Sequence, residues 1–267
     1  MVARMRYFDA HCHIQYEPYD ADRDAVFAAM READVGGIIV GTDRESSEKA
    51  VALADGTTYF ATVGLHPNDK PQEGYDHDFY KTLGQDPKVV AIGECGLDYY
   101  RPENPEEEKD RQKNAFVAQI DLAAELDKPL MIHARPSKGS MNAYEDTITL
   151  LKAAQERHGA RVRGNMHFYV GNIEVTKELL ALGCTFSFTA VLTFTSDYDD
   201  VVRFLPLSAI LSETDAPYVA PAPNRGKRND PLAVREVVKA IARIRGEDEE
   251  TIRLAMLENA RRVFRLS

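Results

Sequence analysis

The sequence predicts an α/β protein closed as a single (β/α)8, or TIM, barrel with its site at the C-terminal mouth of the strands. Three observations carry that expectation: eight apolar runs of strand length, amphipathic helical stretches between them, and histidines or carboxylates just after the runs. In order the runs are YF before Asp9, GIIV at 37–40, FATV at 60–63 and VVAI at 89–92. LMI at 130–132, RVRGNM ending at Met166, CTFSF at 184–188 and AIL at 209–211 complete the set.

The intervening stretches carry helical spacing. Val26, Phe27, Met30 and Ala33 step by three and four before Gly36 and Gly37, and Phe116, Ile120, Ala123 and Ala124 do so before Lys128 and Pro129. Asp230 and Pro231 read as N-cap and first residue of a helix bearing Val234, Val237, Val238, Ile241 and Ile244, stopped by Gly246. A last helix presents Ile252, Ala255, Met256, Ala260, Val263 and Phe264. No GxGxxG turn follows the first run, so nothing supports the rival open sheet with a dinucleotide site. No repeat of fixed period and no long linker divides the chain, and residues 1–267 read as one domain.

Composition narrows the class. Of 267 residues, 44% are hydrophobic and 28% charged, which suits a globular protein with an enzyme-sized core. No apolar run approaches the roughly 18 residues of a membrane span, and there is no secretory-type leader, so no membrane association and a cytoplasmic location are expected. Three scattered cysteines, Cys12, Cys95 and Cys184, fit a reducing compartment. A net charge of −10 argues against a broad basic surface for long nucleic acid, but permits phosphate binding within one local cleft.

The reactive residues follow the runs. Asp9, His11 and His13 follow the first, His66 the third, Glu94 and Asp98 the fourth, His133 the fifth, His167 the sixth and Asp215 the eighth. A closed barrel brings all these positions to one mouth. His77, in an acidic and aromatic loop, and His158, at a helix end, receive no role. In FDAHCHIQ, strand alternation places His11 and His13 on one face and turns Cys12 away; Cys95 beside Glu94 is turned away likewise, and both read as buried small hydrophobes. Imidazoles mixed with carboxylates suit Zn, Fe, Mn or Ni, and several carboxylates also suit Mg. Glu94 can bridge two ions, and Asp215 can take a proton from a water acidified by the metal and return it to a leaving group, which implies hydrolysis.

A second signal lies in ETDAPYVAPAPNRGKRNDP, where prolines stiffen a loop carrying Arg225, Lys227 and Arg228 as candidate phosphate donors. Arg135, two residues after His133, is another candidate clamp, and Tyr99 and Tyr100 offer stacking surface for a base.

The motifs DAHCH, GLHP, GECGLDYY, MIHAR, ETDAPYVAP, RGKRNDP and ENARRVF, in this order, resemble the TatD family of metal-dependent hydrolases within the amidohydrolase-type barrel superfamily. The resemblance covers essentially the whole chain. It implies two divalent metal ions (Mg, Mn or Zn), one held by His11, His13 and Asp215, the other by His133 and His167, with Glu94 bridging. It places His66 and the RGKR loop near substrate phosphate, and it implies deoxyribonuclease activity on DNA ends or another phosphodiester. Three segments depart from the family pattern: Asn68 stands where a second histidine is common, HFYVG replaces a polar continuation after His167, and PSKGSMNAYED after MIHAR is longer than the common form. The expectation is therefore a metal-dependent phosphodiesterase of the exonuclease type. An ester, lactone or amide hydrolase on the same barrel is the enzymatic alternative, and a metal-bearing binding scaffold the non-enzymatic one.

Overall fold

A computed structural model describes residues 5–68, 74–101 and 105–266 of the chain. Its elements alternate as the sequence predicts: β1 (Tyr7–Cys12), α1 (Arg23–Glu32), β2 (Val35–Val40), α2 (Arg44–Leu53), β3 (Tyr59–Val63), α3 (His77–Gly84), β4 (Val89–Asp98) and α4 (Pro105–Glu125). The second half continues with β5 (Leu130–Arg135), α5 (Asn142–His158), β6 (Gly164–Met166), α6 (Ile173–Ala181), β7 (Thr185–Phe188), α7 (Asp199–Phe204), β8 (Ile210–Ser212), α8 (Val234–Arg245) and α9 (Glu249–Phe264). The eight strands form one parallel sheet in chain order, each paired with the next. Closure of β8 onto β1 falls just past the strands, where Asp215 N–H donates to His11 O (2.9 Å) and His13 N–H to Ala216 O (2.7 Å). The seam of the barrel thus runs through predicted site residues.

Apolar side chains divide by face, as a sheet covered on both sides requires. Outward residues such as Ile39, Ala61, Ile92 and Ile132 pack with the helices in the larger core. Inward residues such as Phe8, Ile38, Phe60 and Met131 pack with Leu257, Ala260 and Phe264 of α9. That helix lies across the N-terminal end of the barrel: Asn259 donates to Ile210 O (2.8 Å), and Arg265 pairs with Asp127 (2.7 Å) on the far side.

Two of the three register shifts among the described strands re-aim side chains at the mouth. Between Asp9 and Cys12, Ala10 and His11 of β1 stand against the single residue Ile38 of β2. Between Ile92 and Cys95, Gly93 and Glu94 of β4 stand against Met131 of β5. Each extra residue shifts the alternation by one, so His11 and Glu94 turn inward while Asp9 no longer shares their face. The bulge in β4 needs glycine: Gly93 and Gly96 have φ of +144° and +138°, and a Cβ on either would strike the β5 backbone at Met131 O or His133 O.

Three local expectations change. β4 and β5 run past their apolar cores, so Glu94, Asp98, His133 and Arg135 lie within strands rather than after them. His77 opens α3 instead of lying in a loop, because Asp76 caps that helix by accepting from Phe79 N–H (3.1 Å). Asp230 caps a short 3-10 turn, Pro231–Ala233, that leads into α8.

Candidate metal centre

Glu94 is buried to 3% exposure, and its two carboxylate oxygens face different groups of imidazoles. Oε2 lies 3.4 Å from His11 Nε2 and 3.8 Å from His13 Nε2. Oε1 lies 2.8 Å from His167 Nε2, 3.0 Å from His133 Nδ1 and 3.6 Å from His66 Nε2. Asp215 stands on the first side, with Oδ1 3.5 Å from His13 Nε2 and 3.8 Å from His11 Nε2. The bulges, two separate strands and the seam of the barrel supply these groups, which lie up to 204 positions apart in sequence, from His11 to Asp215.

Further groups orient the rings. His13 Nδ1 lies 2.9 Å from Val40 O, and its ring stacks on Tyr16 with centroids 4.6 Å apart. The other nitrogen of His133, Nε2, lies 3.2 Å from Asp98 Oδ2, while that of His167, Nδ1, lies 3.4 Å from Glu213 Oε1. His13 and His133 therefore each present one nitrogen to the cluster and have the other held from behind, the usual way a protein fixes the tautomer and aim of a metal-binding histidine, whereas His167 Nδ1 faces the Glu213 carboxylate without a hydrogen bond to it. Asp98 also accepts from Tyr100 N–H (2.9 Å) and Arg101 N–H (3.1 Å). Glu213, fully buried, accepts from Phe168 N–H (2.6 Å) and the Ser187 hydroxyl.

Glu213 is the residue that sequence reasoning missed. It lies two positions before Asp215 in the same ETD motif, and that carboxylate pair was the available signal. Asp9 is the opposite case. It accepts from His11 N–H (3.2 Å), Thr214 N–H (2.8 Å) and the Thr214 hydroxyl (2.5 Å), so its oxygens brace the β1–β8 seam instead of joining the cluster.

Electrostatics follow from this crowding. Burial raises the Glu94 carboxyl, but His167, His66 and His11 override it and hold the group well below the usual carboxylate range. Burial likewise opposes ionisation of Asp215, and His13 and His11 prevail and lower it. Burial disfavours charge on His167 and His133 too, yet the carboxylates around them raise both, His167 strongly. His11 is lowered by burial and by the neighbouring His167. Two pairs of imidazole nitrogens approach closely, His11 and His13 at 3.1 Å and His133 and His167 at 3.3 Å. Nitrogen and carboxylate donors so concentrated fit a divalent cation, and the triads His11–His13–Glu94 and His66–Glu94–His133 each bring three donor atoms within 4.8 Å of one another. His11, His167 and Glu213 make a third such group, but the Glu213 oxygens are already engaged by Phe168 and Ser187.

The cluster forms the floor of a cavity of about 790 Å³ that opens at the mouth, within the size range of small-molecule sites. Arg135 lines it, with its guanidinium 4.1 Å over the Tyr100 ring, as do Arg101 and Lys138. The RGKR loop does not. Arg228 is engaged by Asp22 (2.6 and 2.7 Å) and Pro18 O (2.7 Å) and lies over the Tyr19 ring, so its charge is already compensated away from the cavity. Arg225 packs over Phe194 (4.0 Å), and Lys227 is exposed; neither lines the cavity. Tyr99 is buried, with its hydroxyl donating to Asp146 (2.8 Å), whereas Tyr100 is 53% exposed at the rim. Asn68 turns its side chain to Gln112 (3.2 Å), and its N–H donates to His66 Nδ1 (3.2 Å). Cys12 and Cys95 face the outer core, as alternation from their neighbours requires, and Cys184 is buried too.

A buried nest of imidazoles and carboxylates at the C-terminal mouth of a (β/α)8 barrel is the arrangement of metal-dependent hydrolases. Comparison with known proteins agrees. Residues 8–265 match the family described as TatD related DNase. The chain is 37% identical over 265 residues to the uncharacterized metal-dependent hydrolase YabD of Bacillus subtilis (strain 168), covering 97% of this chain and 99% of that one. It is 33% identical over 271 residues to the 3'-5' ssDNA/RNA exonuclease TatD of Pectobacterium parmentieri (strain WPP163), covering 97% and 100%. The crystal structure of YJJV, a TatD homologue from Escherichia coli K12, superposes with a TM-score of 0.86 at 27% identity over the full length of both chains. A TatD family hydrolase of Entamoeba histolytica, 19% identical and with 99% of each chain covered, shares the fold with a TM-score of 0.83. The chain belongs to the TatD family of metal-dependent hydrolases. No described helix is long and apolar enough to cross a membrane.

Proposed function

We propose that this protein is a divalent-metal phosphodiesterase that removes nucleotides from the ends of single-stranded nucleic acid. One observation carries the reading: Glu94 splits its two oxygens between His11 and His13 on one side and His133 and His167 on the other. That division suits two cations sharing one carboxylate, the first held by His11, His13 and Asp215, the second by His133 and His167. Cations there would supply Lewis acidity toward a phosphoryl oxygen and toward water.

The chain's own groups do the rest. Asp215, held as carboxylate by His13 and His11, accepts the proton of the attacking water and delivers it to the leaving oxygen. His66, beside Glu94 Oε1 and lining the cavity, contacts the scissile phosphate. Arg135, Lys138 and Arg101 supply the positive charge expected of the RGKR loop. The relative named as an ssDNA/RNA exonuclease supports the choice of substrate.

The test loads the protein with Mg, Mn or Zn and incubates it with single-stranded DNA labelled at either end. Shortening from one end, lost with chelator and with Asp215→Asn, is the expected result. Intact DNA beside hydrolysis of a carboxyl ester or amide would overturn the phosphodiesterase reading in favour of acyl chemistry on the same barrel.

A further inference from the structure

The rim of the cavity divides into two chemically different arcs. After β4 and β5 it is basic: Arg101, Arg135 and Lys138 line it, and among the described residues neither Arg135 nor Lys138 pairs with an acid. After β6, β7 and β8 it is apolar, with Phe168, Val170, Val191, Tyr198 and Tyr218 lining it. Two segments of the chain make much of this contrast. PSKGSMNAYED supplies Lys138 to the basic arc, and HFYVG supplies Phe168 and Val170 to the apolar one.

Both arcs are preformed. Ser137 N–H donates to Asn142 Oδ1 (3.0 Å) and the Ser137 hydroxyl to Tyr99 O (3.1 Å), which fixes the segment carrying Lys138. Phe168 has φ of +44°, a left-handed conformation that is costly for a phenylalanine, and its N–H is held by Glu213 (2.6 Å). Asp215 and Val219, also at the mouth, have φ of +54° and +53°. Strain retained at a partly buried phenylalanine, next to the cluster residue His167, places an aromatic ring on the wall of the cavity.

A flexible anion alone has no use for the apolar arc, and an apolar ester has no use for the basic one. A nucleotide uses both. We infer that the two arcs form a nucleotide subsite: the base next to the scissile phosphate packs on Phe168, Val170 and Tyr218, while a neighbouring phosphate lies on Arg135 and Lys138. This rests on the phosphodiesterase reading and adds to it what the cavity recognises. Because rings and methyl groups meet the face of a base, the subsite requires a base and tolerates any base.

The experiment has two arms. The metal-loaded protein is given oligonucleotides ending in A, C, G or T, and one ending in an abasic residue. A roughly tenfold lower kcat/KM for the abasic end is expected, the scale of losing one stacked base, with the four bases within about threefold of one another. Calorimetric titration then compares deoxyribonucleoside monophosphates with deoxyribose phosphate. The wild type should prefer the nucleotides about tenfold, Tyr218→Ala and Phe168→Ala should lower that preference severalfold, and Arg135→Ala should weaken both ligands alike. Tyr218 is 54% exposed, so its truncation spares the core. Equal removal of abasic and normal ends, or an unchanged preference in both aromatic variants, overturns the subsite while leaving the phosphodiesterase reading intact. No shortening of any oligonucleotide overturns both.

Discussion

At the N-terminal end of the barrel, Phe8, Phe60 and Met131 close against Leu257, Ala260 and Phe264 of α9. At the other end, the same strands bury Glu94 and four histidines, His11, His13, His66 and His167, and partly bury His133, with Asp98 and Glu213 behind the rings. The first arrangement needs no partner: apolar surface leaves water, and stability rises with the area covered. The second opposes folding, since buried charges lose their hydration and repay it only in good geometry. Its backbone is costly as well, with Phe168, Asp215 and Val219 all in the left-handed region. The difference teaches where the molecule gains its stability and where it gives it up: the apolar N-terminal end offsets the mouth.

Substitutions at the two ends should therefore separate activity from stability. The largest effect is expected for Glu94→Gln, which removes the group shared by both halves of the cluster. A fall in kcat/KM on the order of a thousandfold, the scale of losing one preorganised electrostatic group, should be read with metal-loaded protein on single-stranded DNA. Phe264→Ala should do the reverse. Phe264 is 2% exposed, and its loss should cost about 3 kcal/mol in denaturant unfolding while kcat below the transition is kept. If Phe264→Ala lost turnover as Glu94→Gln does, the contrast between the ends would break.

Asp98→Asn sharpens the comparison, because Asp98 touches a ring of the cluster from behind. Metal affinity should fall about 10- to 100-fold, measured by competition with a chelating dye. The same carboxyl gives a pH signature in the metal-free protein. Burial opposes its ionisation, but His133 and the backbone N–H groups of Tyr100 and Arg101 prevail and bring it down to about 2. A folded value below the unfolded one, about 3.9, makes a contribution that is complete above pH 4 and lost as pH falls through 2. The stability difference between wild type and Asp98→Asn should thus shrink by about 2 kcal/mol between pH 4 and pH 2 in urea unfolding. A difference that grew on acidification would contradict the assignment.

Much of the barrel is legible in the sequence because its signals are local. Each apolar run marks a strand, and the spacing of Val26, Phe27 and Met30 marks a helix. The convergence of His11, His13, Glu94, His133, His167 and Asp215 follows from topology alone once eight strands close. What was not legible depends on long-range contacts. The bulge that separates Asp9 from His11 is visible only in register with β2, and Asp9 finds its partner in Thr214, 205 positions away. Glu213 shows its part only when β6 brings His167 beside it. The RGKR loop misleads for the same reason, since Asp22, which engages Arg228, lies 206 positions away.

The central claim is that Glu94 joins two cation sites. Metal content is its most direct test: wild-type and Glu94→Gln protein are loaded with Mn or Zn, dialysed and measured by mass spectrometry of the metal against protein concentration. Two ions per wild-type chain and loss of both in the variant is the expected result. A single ion in the wild type, or an unchanged content in Glu94→Gln, would contradict the account.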